Sequence, residues 1–394
     1  MELATVPSGW NTFTLGELFE FSNGVNADKS AYGEGIPFVN VLDVIENEAL
    51  MEAAIPGRIK LSSSLAARYQ VRCGDVLLNR TSETQDEVAL ASVYLGDSPV
   101  VFGGFVFRAR PKTNNLDRGY SKYALRANRV REQIVARGQG GIRANIGQRD
   151  LKTVHVSLPP VDEQRTIAVA LSDVDALIAM LERMIAKKRA NKQAMMQQLL
   201  TGKTRLPGFG DPWIDFRLGE IARIKTGSRN NQDKESYGQY PFFVRSATVE
   251  RIDSYSYDCK AILVPGEGGI GSIFHYINGK FEVHQRVYKI SNFAERVSGR
   301  FVYHYMRQFF GAHAMENSVK ATVDSLRLPT FSGFKLHLPA KVDEQQAIVS
   351  VLDDAENEIE LLQRRLTKAR STKTGMMQQL LTGRTRLPVK EGVA

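Results

Sequence analysis

Residues 161–207 read VDEQRTIAVALSDVDALIAMLERMIAKKRANKQAMMQQLLTGKTRLP, and residues 342–388 read VDEQQAIVSVLDDAENEIELLQRRLTKARSTKTGMMQQLLTGRTRLP. The second copy lies 181 positions after the first without a gap, and 25 of the 47 aligned residues are identical. Self-similarity of this length marks an internal duplication.

Each copy reads as one long helix. Apolar residues fall at Ile167, Leu171, Val174, Ile178, Leu181 and Ile185, then at Met195 and Leu199. The steps alternate between four and three, the spacing of a heptad seam. The second copy keeps it with Ile348, Leu352, Ala355, Ile359, Leu362 and Leu366, then Met376 and Leu380. Asp162 and Glu163 place negative charge at the first start, where the helix dipole favours it. Gly202 and Gly383 stand where a terminating glycine belongs, with Pro207 and Pro388 just beyond. A helix of about 38 residues is roughly 57 Å long, and so thin an apolar stripe needs a partner. The spacing predicts that the two copies pack as an antiparallel coiled coil; the competing reading is two independent core helices in two domains.

The chain has 394 residues, 43% hydrophobic and 24% charged, as in an ordinary multi-domain globular protein. No apolar run approaches the ~20 residues of a membrane span, and the first residues lack a basic-then-apolar leader. Cys73 and Cys259 have no CxxC spacing, so neither a disulfide framework nor a zinc site is indicated and a reducing cytoplasm is expected. The net charge of +9 favours a polyanionic partner.

The order is globular segment, helix, globular segment, helix. The segments echo each other at their openings. Trp10-Asn-Thr-Phe13-Thr-Leu15-Gly16-Glu17 matches Trp213-Ile-Asp-Phe216-Arg-Leu218-Gly219-Glu220. Tyr32-Gly33 followed by Pro37-Phe38-Val39 matches Tyr237-Gly238 followed by Pro241-Phe242-Phe243-Val244. Beyond that they diverge, as two related modules with different recognition tasks would. The boundaries read as module 1–158, helix 159–207, module 208–338, helix 339–388 and tail 389–394.

Strands are expected at 75–79, 100–107, 155–158, 261–264, 271–276, 281–290 and 335–338. Asn278-Gly279 suggests a hairpin turn. Helices are expected at 120–134 and 301–310. The fold class is α+β: two similar α+β domains and two long antiparallel helices, related by a pseudo-twofold axis.

Residues 105–152 hold twelve Lys or Arg against three acids, among them Arg108, Arg110, Arg126, Arg129, Arg131, Arg137, Arg143 and Arg149, with Gln139, Asn145 and Gln148 between them. Arginine suits phosphate and bidentate guanine contacts, and Asn and Gln suit adenine. The glycine-rich loop 138–149 would let its backbone approach DNA closely. In the second module the comparable candidates are Arg229, Asn230, Arg245, Gln285, Arg286, Lys320 and Arg327. The competing reading is a solvated basic face.

Enzyme-like signals are poor. Gly266-Glu-Gly268-Gly-Ile-Gly271 fits GxGxxG, but a nucleotide site needs a helix next, and a hairpin is expected instead. Thr201-Gly202-Lys203-Thr204 imitates the end of a P-loop, yet residue 197 is Gln and the second copy has Arg384 for the lysine. The six histidines form no metal-ligand pattern, and no aminomethylase or nuclease motif is found. No catalytic or metal-binding residue is expected.

The module–helix–module–helix order, the LP…EQ…I helix starts after Leu158 and Leu338, and the repeated KxxxMMQQLLTG(K/R)TRLP ends resemble the specificity subunit of a type I restriction–modification system. The resemblance covers essentially the whole chain. It implies a bipartite target in double-stranded DNA, one half-site per module, with the helices as spacer. It also implies two modification subunits bringing adenosylmethionine and N6-adenine methylation. Restriction subunits would bring ATP, magnesium and cleavage, and this chain would hold no cofactor. Ala355 opposite Val174 departs toward a slimmer seam. A coiled-coil scaffold without DNA, an orphan DNA-binding specificity protein and a self-contained methyltransferase are the alternatives.

Overall fold

A computed structural model describes residues 6–140, 143–269, 271–316 and 325–388. Two compact units result. The first comprises Met1–Met180 with Leu366–Ala394, the second Leu181–Arg365. Among the described residues, no helix is long and apolar enough to cross a membrane.

The repeats form α-helices of 39 residues each, Val161–Leu199 and Val342–Leu380. Both stop at the expected glycines, Gly202 at φ +69° and Gly383 at φ +68°, a conformation that costs glycine no Cβ clash. Within each unit the two helical segments run antiparallel. In the second, Lys188 pairs with Glu358 at 2.8 Å and Lys192 with Glu356 at 3.0 Å; in the first, Lys373 pairs with Asp175 at 2.9 Å. Ile167, Leu171, Leu181, Ile185, Ile348, Leu352, Ile359 and Leu362 are buried, while Val174, Ile178, Ala355 and Leu366 are half-buried. The seam is continuous with the module cores. Ile167 and Leu171 join Leu380 and Leu381 in the first core, and Ile348 and Leu352 join Met196, Leu199 and Leu200 in the second.

In the first unit a five-stranded sheet runs in the order Phe19–Asn23, Val106–Pro111, Val76–Asn79, Ala91–Tyr94, Ala49–Leu50. A four-stranded sheet follows the order Arg58–Ile59, Tyr32–Val39, Val100–Phe102, Gln70–Val71. In the second unit one six-stranded sheet runs Arg223–Thr226, Val287–Ser291, Tyr257–Pro265, His275–Val283, Tyr240–Phe243, Glu250–Ile252. Each module closes by pairing its first strand with its last, antiparallel: Asn11–Thr14 with His155–Leu158, and Trp213–Arg217 with Lys335–Pro339. The last strand then runs into its long helix.

Several local expectations are corrected, among them the strands expected at 271–276 and 281–290, which are instead His275–Val283 and Val287–Ser291. The strand expected at 100–107 is two strands broken by a turn at Gly103 to Phe105. The helix expected at 120–134 is Arg118–Ala124 and Asn128–Val135. Arg126, in the break, sends its guanidinium into the fold to the carbonyls of Ala91, Val44 and Asn47. Asn278-Gly279 is not a turn. It lies within His275–Val283, with Asn278 opposite Lys260 and Gly279 opposite Cys259. A two-residue turn preference yields to a ladder of seven pairs, and the chain reverses instead at His284, where Val287 N–H donates to its carbonyl at 2.9 Å.

The helix starts are locked by one polar arrangement used twice. Gln164, fully buried, donates from Nε2 to the carbonyls of Asn115 and Pro159 at 2.7 and 2.9 Å, and its Oε1 accepts from Asp117 N–H at 2.8 Å. Gln345 donates to Arg296 and Pro339 at 3.0 and 2.9 Å and accepts from Ser298 N–H at 2.8 Å. Beside them, the buried Glu163 meets Arg386 at 2.5 and 2.6 Å, and Glu344 meets Arg205 at 2.5 and 2.7 Å. Each arginine comes from the TRLP end of the other repeat. Trp213 packs over Gly202, as Pro7 and Trp10 pack over Gly383.

A second cluster ties the second module to the helices. Asp353 accepts from Arg300 at 2.8 Å and from His304 at 2.8 Å, and Glu356 accepts from Arg307 at 2.8 Å. His304, Asp353 and Glu356 offer ligand atoms within 4.8 Å of one another, a grouping invisible in the sequence. Arg300, Arg307 and Lys192 already supply the positive charge there. Burial alone would raise the Glu356 carboxyl, but Arg307 and then Lys192 overturn it and hold it down to about 2.

Two tests follow from these contacts. Arg205→Ala strands the buried Glu344 carboxylate and is expected to cost about 3–5 kcal/mol, read as a lower urea midpoint; an unchanged midpoint would show that the pair contributes nothing. A carboxylate depressed in the fold stabilises fully above its unfolded value and loses that stabilisation as pH falls toward its folded one. The Glu356 contribution is therefore present above about pH 4.5 and fades as pH falls toward about 2. Glu356→Gln should flatten the acid limb of a stability–pH curve.

Candidate nucleic-acid interface

The candidate residues of the second module converge on one edge of its six-stranded sheet. Arg229 follows Arg223–Thr226, Arg245 follows Tyr240–Phe243, Glu267 follows Tyr257–Pro265, and Gln285 and Arg286 form the turn after His275–Val283. Glu267 pairs with Arg245 at 3.2 Å and also with Arg286. Gln285 donates to Asn230 at 2.5 Å. Arg229 and His284 form a parallel bridge, and Glu267 and Ser325 an antiparallel one. Arg327 is exposed at the N-cap of Leu328–Ser332. Lys320 lies outside the described residues.

Beneath this edge sits the fully buried Glu282. Its Oε2 accepts from Ser256 at 2.6 Å and lies 3.5 Å from Arg229 Nε, and Arg229 Nη2 reaches Ser254 at 3.2 Å. His284 is held below its ordinary value, first by burial and then by Arg245 and Arg286. Its Nδ1 accepts from Arg286 N–H at 3.0 Å, as a neutral ring can.

The first module builds the same edge from different residues. Gln139 and Asn145 exchange backbone hydrogen bonds at 2.8 and 2.7 Å; residues 141 and 142 lie outside the described residues. Arg143, between Gln139 and Asn145, is exposed. A Cβ on Gly140, at φ +114°, would stand 2.2 Å from the Arg143 carbonyl, so only glycine fits. Asn145 and Ala144 pair with Thr81 and Ser82. Gln148 donates to Asn23 at 3.0 Å, and Arg149 is exposed beside it.

Much of the basic stretch is used inside the fold. Arg108 donates to the Gln70 carbonyl at 2.5 Å and covers the Phe102 ring, and Arg110 is paired with Asp75 at 2.7 Å. Arg131 donates to the carbonyls of Ala89, Asp86 and Val88, and burial pushes it down to about 10. Arg137 meets Thr153 and the Gln133 carbonyl. Arg108, Arg110, Arg131 and Arg137 thus have partners within the fold, whereas Arg143 and Arg149 are exposed. Turns and loops offer carbonyls that no ladder partner uses, and a guanidinium with five donors satisfies several at once. Glu267 and Glu282 were not singled out in the sequence, whereas His284 belongs to the candidate stretch 284–286. The only signal for Glu267 was the GxGxxG pattern, which places it in a loop between antiparallel strands.

The profile of the type I restriction modification DNA specificity domain matches residues 7–187 and 210–370. The chain belongs to this family of type I restriction–modification specificity subunits. The MjaVIII type I restriction enzyme specificity subunit of Methanocaldococcus jannaschii is 20% identical over 97% of this chain and 94% of its own length. The EcoDI specificity subunit of Escherichia coli is 29% identical over 43% of this chain and 37% of its own. The crystal structure of the M. genitalium type I S subunit has the same fold, with a TM-score of 0.66 at 16% identity over 96% of this chain and 98% of that one. As a specificity subunit, this chain serves DNA target recognition.

Arg143 is the test residue for this edge, being exposed where Arg108 and Arg110 are engaged. Arg143→Ala in the assembled complex is expected to weaken binding to its target duplex by about 1–3 kcal/mol if a base contact is lost. Titration by fluorescence anisotropy at fixed salt measures this, and unchanged affinity would remove Arg143 from the interface.

Proposed function

We propose that this chain reads a bipartite target in double-stranded DNA, one half-site with each module. The observation that carries the reading is that one backbone edge is built twice with different side chains. Thr81 with Asn145 stands in the first module where Glu267 with Ser325 stands in the second. The turn Gly103 to Phe105 stands where His284 to Arg286 stands. A common frame with exchanged edge chemistry is what reading two different sequences requires, since base identity is discriminated by donor, acceptor and methyl patterns.

In this reading the long helices set the spacing of the half-sites and dock two modification subunits and the restriction subunits. Adenosylmethionine, ATP and magnesium are held by those partners, which perform N6-adenine methylation and cleavage. This chain positions the DNA and contributes no reacting group.

Exchanging residues 208–338 for the equivalent module of a relative tests the proposal. Sequencing methylated adenines in a strain carrying the hybrid should show one half of the motif changed and the other kept. A change in both halves, or in neither, would sink the modular reading.

A further inference from the structure

We infer that Phe105 is a specificity-determining residue of the first module, reading a thymine through its C5-methyl group. The inference rests on the proposed function and goes one residue deeper.

Phe105 is 63% exposed. A lone exposed aromatic is ordinary on a protein surface; its position is not. It stands at the tip of the turn between Val100–Phe102 and Val106–Pro111, and that turn is pinned on every side. Gly103 N–H donates to the Val39 carbonyl at 3.0 Å, Val106 N–H to the Gly103 carbonyl at 2.9 Å, and Arg80 N–H to the Phe105 carbonyl at 2.7 Å. There is no slack around it. A Cβ on Gly103 would stand 2.7 Å from the Phe38 ring, and one on Gly104 1.9 Å from Asn26 Oδ1. The ring is thus held outward by a rigid backbone instead of lying on a mobile loop.

The second module identifies what this tip is for. There, Gly266 N–H donates to the Arg286 carbonyl at 2.8 Å and His284 N–H to the Phe243 carbonyl at 3.0 Å, the bonds that Arg80 and Gly103 make in the first. Phe105 is therefore the structural counterpart of Arg286. Asn23, paired opposite Phe107, Gln148, which donates to Asn23, and Arg143, next to the Ala144–Ser82 pair, are on the same edge as Phe105. At a place where one module holds a charged guanidinium paired with Glu267, the other presents an apolar ring. The one apolar group on a base edge in the major groove is the thymine methyl.

The assembled complex with its modification subunits is first used to select its motif from a randomised duplex pool. Each thymine of the first half-site is then replaced by deoxyuridine, which lacks only the methyl. The expected result is one position at which the wild type loses about fourfold in affinity, the worth of one buried methyl group. Phe105→Ala should bind the thymine duplex about tenfold more weakly, be indifferent to that replacement, and keep the salt slope of the wild type, because no phosphate contact is lost. Phe105→Leu should recover part of the methyl sensitivity. Methyl-independent binding by the wild type, or a Phe105→Ala variant that still senses the methyl, overturns the inference while leaving DNA recognition standing. A pool that yields no motif at all overturns the proposed function and this inference with it.

Discussion

The structure depends on the polar lock at the start of each long helix. Gln164 and Gln345 sit in apolar surroundings, where an unmet amide costs roughly 1–3 kcal/mol, and both meet two carbonyls and one N–H of their own module. The partners correspond: Asn115 and Asp117 in the first module, Arg296 and Ser298 in the second, each 181 positions apart. Glu163 and Glu344 add a buried charge, which is tolerable only with a bidentate guanidinium beside it. The arginine for each comes from the far end of the other repeat, so neither unit is complete without the end of a distant helix.

That dependence explains why the repeats are so alike. A surface ion pair contributes little, so Lys188 with Glu358 does not constrain the sequence much. A buried carboxylate with one cation does, because removing either partner leaves a charge in an apolar site. The identical residues cluster at VDEQ and MMQQLLTG(K/R)TRLP, where these locks and the terminating glycines lie.

The modules follow the opposite logic. Their frame is fixed by the strand pairs Asn11–Thr14 with His155–Leu158 and Trp213–Arg217 with Lys335–Pro339, and by buried aromatic side chains such as Phe102, Phe281 and Phe310. The edge carries no such burden. Thr81 against Glu267 and Phe105 against Arg286 show side chains exchanged where the backbone hydrogen bonds are kept. The side chains of this edge therefore diverge without disturbing the core.

By itself the sequence determined the two helices and their stops, because heptad spacing, first-turn acids and a left-handed glycine are local signals, here written twice. It also determined the strand before each helix. Only the tertiary structure decided that Asn278-Gly279 continues a strand, that residues 120–134 break at Arg126, and that Arg108, Arg110 and Arg131 turn inward. Each outcome rests on a partner far along the chain: Lys260 opposite Asn278, the Ala91 carbonyl for Arg126, Asp75 for Arg110. An arginine's charge is legible in a sequence, but whether it meets a carbonyl or solvent depends on what folding brings within 3 Å, and no periodicity records that.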